Sequence, residues 1–210
     1  VLKPGGVMSW PVVPTVEAAV KAEADGADGV IVSGCEGGGH VGKLASLALW
    51  PQARDRVTIP MVAAGGIGDG RGMAAAFALG AEGVQLGTRF IVTRESPAHP
   101  ATKQKILQAK AEDTAVTGNI TGLPVRVIKN RMAEEFLCME SAGKSKAEMA
   151  LFGSGKMKLA FVEGNAEDGS VMAGQVSGLI HDEPTCDELI QRLVRECRAT
   201  AAALPRTVGA

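Results

Sequence analysis

Residues Ile59–Phe90 read IPMVAAGGIGDGRGMAAAFALGAEGVQLGTRF. The run Ile59–Ala64 is apolar without interruption and stops at Gly65–Gly66, the pattern of a short buried strand. Asp69 opens a helix and Gly80 closes it. The next strand begins at Ala81 and leads into a second glycine turn at Gly87–Thr88. The same unit occurs upstream. A helix spans Thr15–Gly26 and a buried strand spans Asp28–Gly34. GADGVIV at Gly26 and GAEGVQL at Gly80 form a weak internal repeat. Continuous apolar strands alternating with helices predict a parallel sheet with helices outside. A doubly wound sheet and a (β/α)8 barrel both satisfy that pattern.

Outward from this stretch, GVMSWPVV (Gly6–Val13) reads as a strand. Leu44–Arg56 reads as a helix kinked or broken at Pro51. The last third differs. Glu95–Asp113 starts as a loop and becomes helical, Leu123–Glu140 is a short strand or turn and then a helix, and Pro184–Leu204 is a final helix.

The 210 residues are 46% hydrophobic, enough for a sizeable core. A formal net charge of −1 argues against nucleic acid as a partner. No apolar run is long enough to span a bilayer, and no signal peptide is evident. Cys35, Cys138, Cys186 and Cys197 form no CxxC pair, which fits a reducing cytoplasm better than a disulfide scaffold or a zinc site. No metal site is expected.

Glycine turns after successive strands suit an anion. Without a Cβ, backbone N–H groups can converge on a phosphate, and a helix N-terminus adds positive partial charge. Gly65–Gly66 and Gly87–Thr88 have the layout of a barrel phosphate site. The same residues also suit two tight βα turns that bind nothing. A GxGxxG dinucleotide fingerprint is absent, so a mononucleotide phosphate fits better than a pyrophosphate. A third glycine cluster, EGGGHVGK at Glu36–Lys43, ends on His40.

EGGGHVGK, the Ile59–Phe90 stretch, ESPAHP and GSVMAGQVSGL together resemble the nitronate monooxygenase-like flavoprotein superfamily. Within it, ESPAHPATKQKIL, VRVIKN and DGSVMAGQ are most similar to the flavin-dependent enoyl-acyl carrier protein reductase II branch. The resemblance implies an FMN-binding (β/α)8 barrel with an added helical region. It places FMN phosphate near Gly65, Gly66 and the Gln85–Leu86–Gly87–Thr88 turn. The flavin would lie by Gly38 and Gly39, with Met172, Gly174 and Gln175 returning to the site from the C-terminal region. His40 would stand beside the substrate. On this reading the glycines let the backbone lie flat against a planar cofactor. Histidine titrates near neutrality, so His40 suits proton transfer or hydrogen bonding; a structural histidine capping the loop is the alternative. His99 and His181 read as turn residues, Cys35 as packing, and Glu36 as bracing the loop or touching a ligand. Lys43 and Arg89 read as cations that attract phosphate or are merely solvated.

The resemblance implies NADH or NADPH as electron donor and a small-molecule or carrier-protein thioester as substrate. A homodimer is an expectation beside these. The alternatives are a nitronate monooxygenase using oxygen, and an inactive flavin-binding remnant. The pattern of the superfamily starts with about four further βα units. The sequence therefore reads as the C-terminal part of a barrel, residues 1–95, followed by a helical region, 96–210, whose 168–180 loop returns to the active site. The N-terminal strands of the barrel are expected to be missing.

Overall fold

The computed structural model describes residues 6–208, with side chains through 205. The ends of the ranges 1–95 and 96–210 lie outside the described residues. In chain order the elements are β1 (Val12–Val13), α1 (Val16–Ala24), β2 (Val30–Ser33), β3 (Gly39–His40), α2 (Ser46–Arg54), β4 (Met61–Ala64), α3 (Gly70–Ala78) and β5 (Gly83–Gln85). There follow α4 (Thr88–Ile91), α5 (Pro100–Leu107), β6 (Thr114–Thr117), β7 (Val125–Ile128), α6 (Arg131–Ser141), α7 (Lys146–Gly153), α8 (Lys156–Phe161), a 3-10 turn at Gln175–Leu179, and α9 (Cys186–Val208).

Two compact units emerge, and the chain passes between them more than once. Of the described residues, the first comprises 6–35, 42–86 and 189–208; the second comprises 36–41 and 87–188. Where the sequence sets one boundary at residue 95, the first unit stops at Leu86 and takes up the chain again at Leu189. The loop 36–41 belongs with the second.

The first unit holds a four-stranded parallel sheet in the order β1-β2-β4-β5. Thr15 caps α1 by accepting from the Ala18 N–H at 3.1 Å, and Asp69 caps α3 by accepting from Arg71 and Gly72. The core beneath these helices includes Val30, Val32, Leu49, Met61 and Ala63. Trp50 anchors α2 by donating its indole N–H to Val32 O at 3.0 Å. Pro51 lies inside α2 without ending it. The strand expected over Gly6–Val13 shrinks to two residues, since Pro11 and Pro14 flank it and cannot donate to a ladder.

The second unit holds the expected helices, α5 to α8, and a sheet among them that the sequence reading does not include. It contains an antiparallel sheet, β3-β7-β6. TAVT and VRVI are short β-branched runs joined through Gly118 and Gly122, both left-handed. His40 pairs with Val125 and Gly39 with Arg126. One core here gathers Val92, Ile106, Ile128, Val171 and Ile180. A smaller cluster, Met132, Phe136 and Met149, joins α6 to α7. Among the described residues no helix is long and apolar enough to cross a membrane.

The start of α6 carries an acid-sensitive link. Arg131 donates to both Asp168 oxygens, at 2.6 and 2.5 Å. Arg131, and next Asn165, hold the Asp168 carboxyl down at about 2. A carboxyl lowered in the folded state contributes stability above its unfolded value and loses it as pH falls through the folded one. We expect urea midpoints to drop between about pH 4 and pH 2, and Asp168→Asn to flatten that slope. An unchanged slope in the variant would show that the link is energetically silent.

Candidate functional site

In the first unit, Ala64 is the register partner of Gln85, so β4 and β5 end side by side. The turns that start at Gly65 and Leu86 therefore leave the same end of the sheet. Gly65 and Gly66 both have positive φ, 85° and 72°. A Cβ on Gly65 would come within 2.7 Å of Gly34 O, so position 65 is closed to other residues twice over. The Ser46 hydroxyl donates to Gly65 O at 3.0 Å and braces the turn. Leu86 packs on the first unit's core, while Gln85 is exposed.

The helix that follows is not a free anion site. The Gly70 N–H donates to Glu196 Oε2 at 3.0 Å, and Arg71 and Gly72 donate to Asp69. Burial raises the Asp69 carboxyl, but the bonds from Arg71 and Gly72 outweigh it and hold it below its ordinary value. The N-terminus of α3 is thus satisfied by two carboxylates of the chain itself. The sequence carries no local signal for Glu196, which lies 126 residues away.

In the second unit the triple-glycine loop lies against Met172–Gln175. A Cβ on Gly38 would fall 2.6 Å from Ala173 Cα and C, and one on Gly174 would fall 2.6 Å from Glu36 O. The Gln175 N–H donates to Glu36 O at 2.9 Å, and the Gly174 N–H donates to the buried Thr88 hydroxyl at 2.9 Å. Backbone of the chain itself is enough to demand glycine at 38. Gly39 has φ 80° and stands beside Met172, whose Sδ is 3.9 Å from the place of a Cβ.

His40 follows on β3. Its side chain is exposed and makes no hydrogen bond or ion pair among the described residues. Both ring nitrogens are therefore open to a ligand. The structure gathers Gly38, Gly39, His40, Thr88, Met172, Gly174 and Gln175 in one unit, and Gly65, Gly66, Gln85 and Leu86 in the other.

Gly87 is the informative exception. Its φ is −100°, which any residue adopts, and no protein atom lies within 4 Å of an added Cβ. Neither conformation nor packing within the chain asks for glycine there. Among the described residues, its N–H and that of Thr88 have no backbone acceptor. A ligand group that approaches the backbone closely would account for the glycine.

Other readings shift. Arg89 is buried, 3% exposed, and its guanidinium donates to Asp182 Oδ1 at 2.6 Å; it is an internal ion pair and not a phosphate attractor. His99 caps α5, its Nδ1 accepting from the Ala101 N–H. No disulfide joins the four cysteines. Among the described residues no cluster of His, Cys, Asp or Glu could hold a metal ion.

Comparison with known proteins places the chain in a family. Residues 1–196 match the model of the family described as nitronate monooxygenase. The chain is 36% identical to the (3aS,4S,5R,7aS)-5-hydroxy-7a-methyl-1-oxo-octahydro-1H-indene-4-carboxyl-CoA dehydrogenase of Mycobacterium tuberculosis, over 92% of this chain and 66% of that protein. It is 35% identical to a probable nitronate monooxygenase of Bacillus subtilis, over 93% of this chain and 59% of that protein. The structure of FabK from Thermotoga maritima superposes with a TM-score of 0.94 at 42% identity, covering 98% of this chain and 66% of FabK. The chain thus spans about two thirds or less of the length of these relatives. Its α/β fold is that of FabK, and the parallel sheet with its helices is the later part of the barrel that the sequence predicts. With a family model covering nearly its whole length, the chain belongs to the nitronate monooxygenase family.

Proposed function

We propose that the chain serves an FMN-dependent oxidoreductase that reduces the α,β-double bond of an acyl thioester with NADH or NADPH, in a cytoplasmic setting. Gly87 supports the cofactor reading, because a ligand group that approaches the backbone closely would account for its glycine. The N–H groups of Gly87 and Thr88, after β5, would hold the phosphate. Bound FMN would supply the hydride for the β-carbon. His40 would give or relay the proton at the α-carbon, or hydrogen-bond the thioester carbonyl. The Met172–Gln175 segment fixes the loop that presents it. The likeness to FabK supports the reductase branch, and the name of the Mycobacterium tuberculosis relative is that of a carboxyl-CoA dehydrogenase.

The test begins with FMN titrated into the chain while flavin fluorescence is followed. Saturable quenching is expected, about tenfold weaker in Gly87→Ala, with no change in melting temperature. Crotonyl-CoA should then drive anaerobic NAD(P)H oxidation. Equal FMN affinity in Gly87→Ala would remove the phosphate assignment. The family description and the Bacillus subtilis relative favour a second reading, oxidation of alkyl nitronates by oxygen. Nitronate-dependent oxygen uptake without NAD(P)H, and no response to crotonyl-CoA, would replace the first reading with the second.

A further inference from the structure

A cavity of about 300 Å³ lies wholly within the second unit, at the lower end of the size of small-molecule sites. Its apolar lining includes Leu123, Val125, Met132, Phe136, Met157 and Met172. Two of these lead to the histidine. Val125 is the register partner of His40, and directly paired residues of an antiparallel ladder share one face of the sheet. Met172 stands beside Gly39, the residue before His40. The cavity therefore begins one ladder step from the imidazole.

Three of the four polar side chains of the lining are engaged within the chain, and the fourth, Ser170, is buried. The Thr117 hydroxyl reaches Val125 O at 3.4 Å, Lys156 Nζ lies 4.7 Å above the Phe152 ring, and Lys158 pairs with Glu163 at 3.5 Å. Such a space offers little to a polar ligand and much to a hydrocarbon. Methionine walls add adaptability, since the thioether chain refills irregular gaps.

We propose that this cavity is an acyl chamber, which takes the hydrocarbon tail of a thioester whose reactive end lies at His40. The inference rests on the thioester reading and adds to it a preference for medium-length chains. Chamber and chemistry are separable by experiment. Saturated acyl-CoA esters from butyryl to octanoyl, which cannot be reduced, are titrated by calorimetry into the chain supplied with FMN. Each added methylene that enters the cavity should tighten binding about threefold, so octanoyl-CoA should bind on the order of a hundredfold more tightly than butyryl-CoA. Met157→Trp and Leu123→Trp, both at exposed positions of the lining, should compress that ratio to under about tenfold. Far-UV circular dichroism shows which variant is folded, and either one suffices. A flat series in the unaltered chain, or a ratio untouched in a folded variant, overturns the chamber. A steep series without any enoyl-CoA turnover keeps the chamber and removes the reductase. Turnover of crotonyl-CoA with a flat series does the reverse.

Discussion

His40→Ala is expected to lower thioester-dependent NAD(P)H oxidation by about 10²-fold or more, the usual scale of a lost proton-transfer group. FMN affinity and melting temperature should hold. The separation follows from how His40 is built in. Its position is set by backbone pairing with Val125 and by the Val41 N–H, which donates to Pro124 O at 3.0 Å. Neither bond uses the imidazole. The side chain is exposed and has no partner among the described residues, so its loss removes no internal contact. If the variant melts lower and turns over as fast as the parent, His40 is a structural cap. Turnover with retained stability but unchanged rate would leave the proton to another donor.

Gly174→Ala is expected to do the opposite and act first on the fold. The glycine has φ −86° and ψ 173°, open to any residue, so backbone strain plays no part. The damage is contact alone. The new methyl would meet Glu36 O at 2.6 Å and Gly38 N at 3.0 Å, and backbone cannot swing aside as a side chain does. Overpacking of this kind costs about 1–3 kcal/mol. For a chain of this length that lowers the melting temperature by roughly 2–4 °C per kcal/mol. Separation of the two segments would also stretch the bonds Gly174–Thr88 and Gln175–Glu36. Differential scanning calorimetry decides it. A melting temperature within about 1 °C of the parent would mean the loop gives way without cost, and Gly38 would then owe its conservation of space to something else.

Local grammar made much of the first unit readable. Thr15 and Asp69 cap helices because their side chains reach N–H groups two or three residues on, and Gly26 and Gly80 turn out of helices with positive φ. Each signal lies within a few residues of its effect. The antiparallel sheet of the second unit was not readable in the same way. VRVI falls in the short strand or turn read at Leu123, but its partners give no such signal: TAVT is four residues behind a helical stretch, and β3 is two residues of glycine and histidine. The site divides along the same line. The cluster of glycines and the histidine after it announce a loop with work to do. What they cannot announce is Ala173, more than a hundred residues on, as the surface that Gly38 faces. Arg89 misled for a related reason, since its partner Asp182 is 93 residues distant. Glu196 at the start of α3 is invisible on the same ground.

The chamber wall also has a chemical weak point. Of the wall methionines, Met157 is 53% exposed, whereas Met132 is 3%. An oxidant arriving from solvent meets Met157 first. The sulfoxide it leaves is a polar, chiral group where hydrocarbon was. Oxidative ageing of the chain would thus erode its discrimination between long and short tails while α6 and α7, held by the buried Met132–Phe136–Met149 cluster, stay folded.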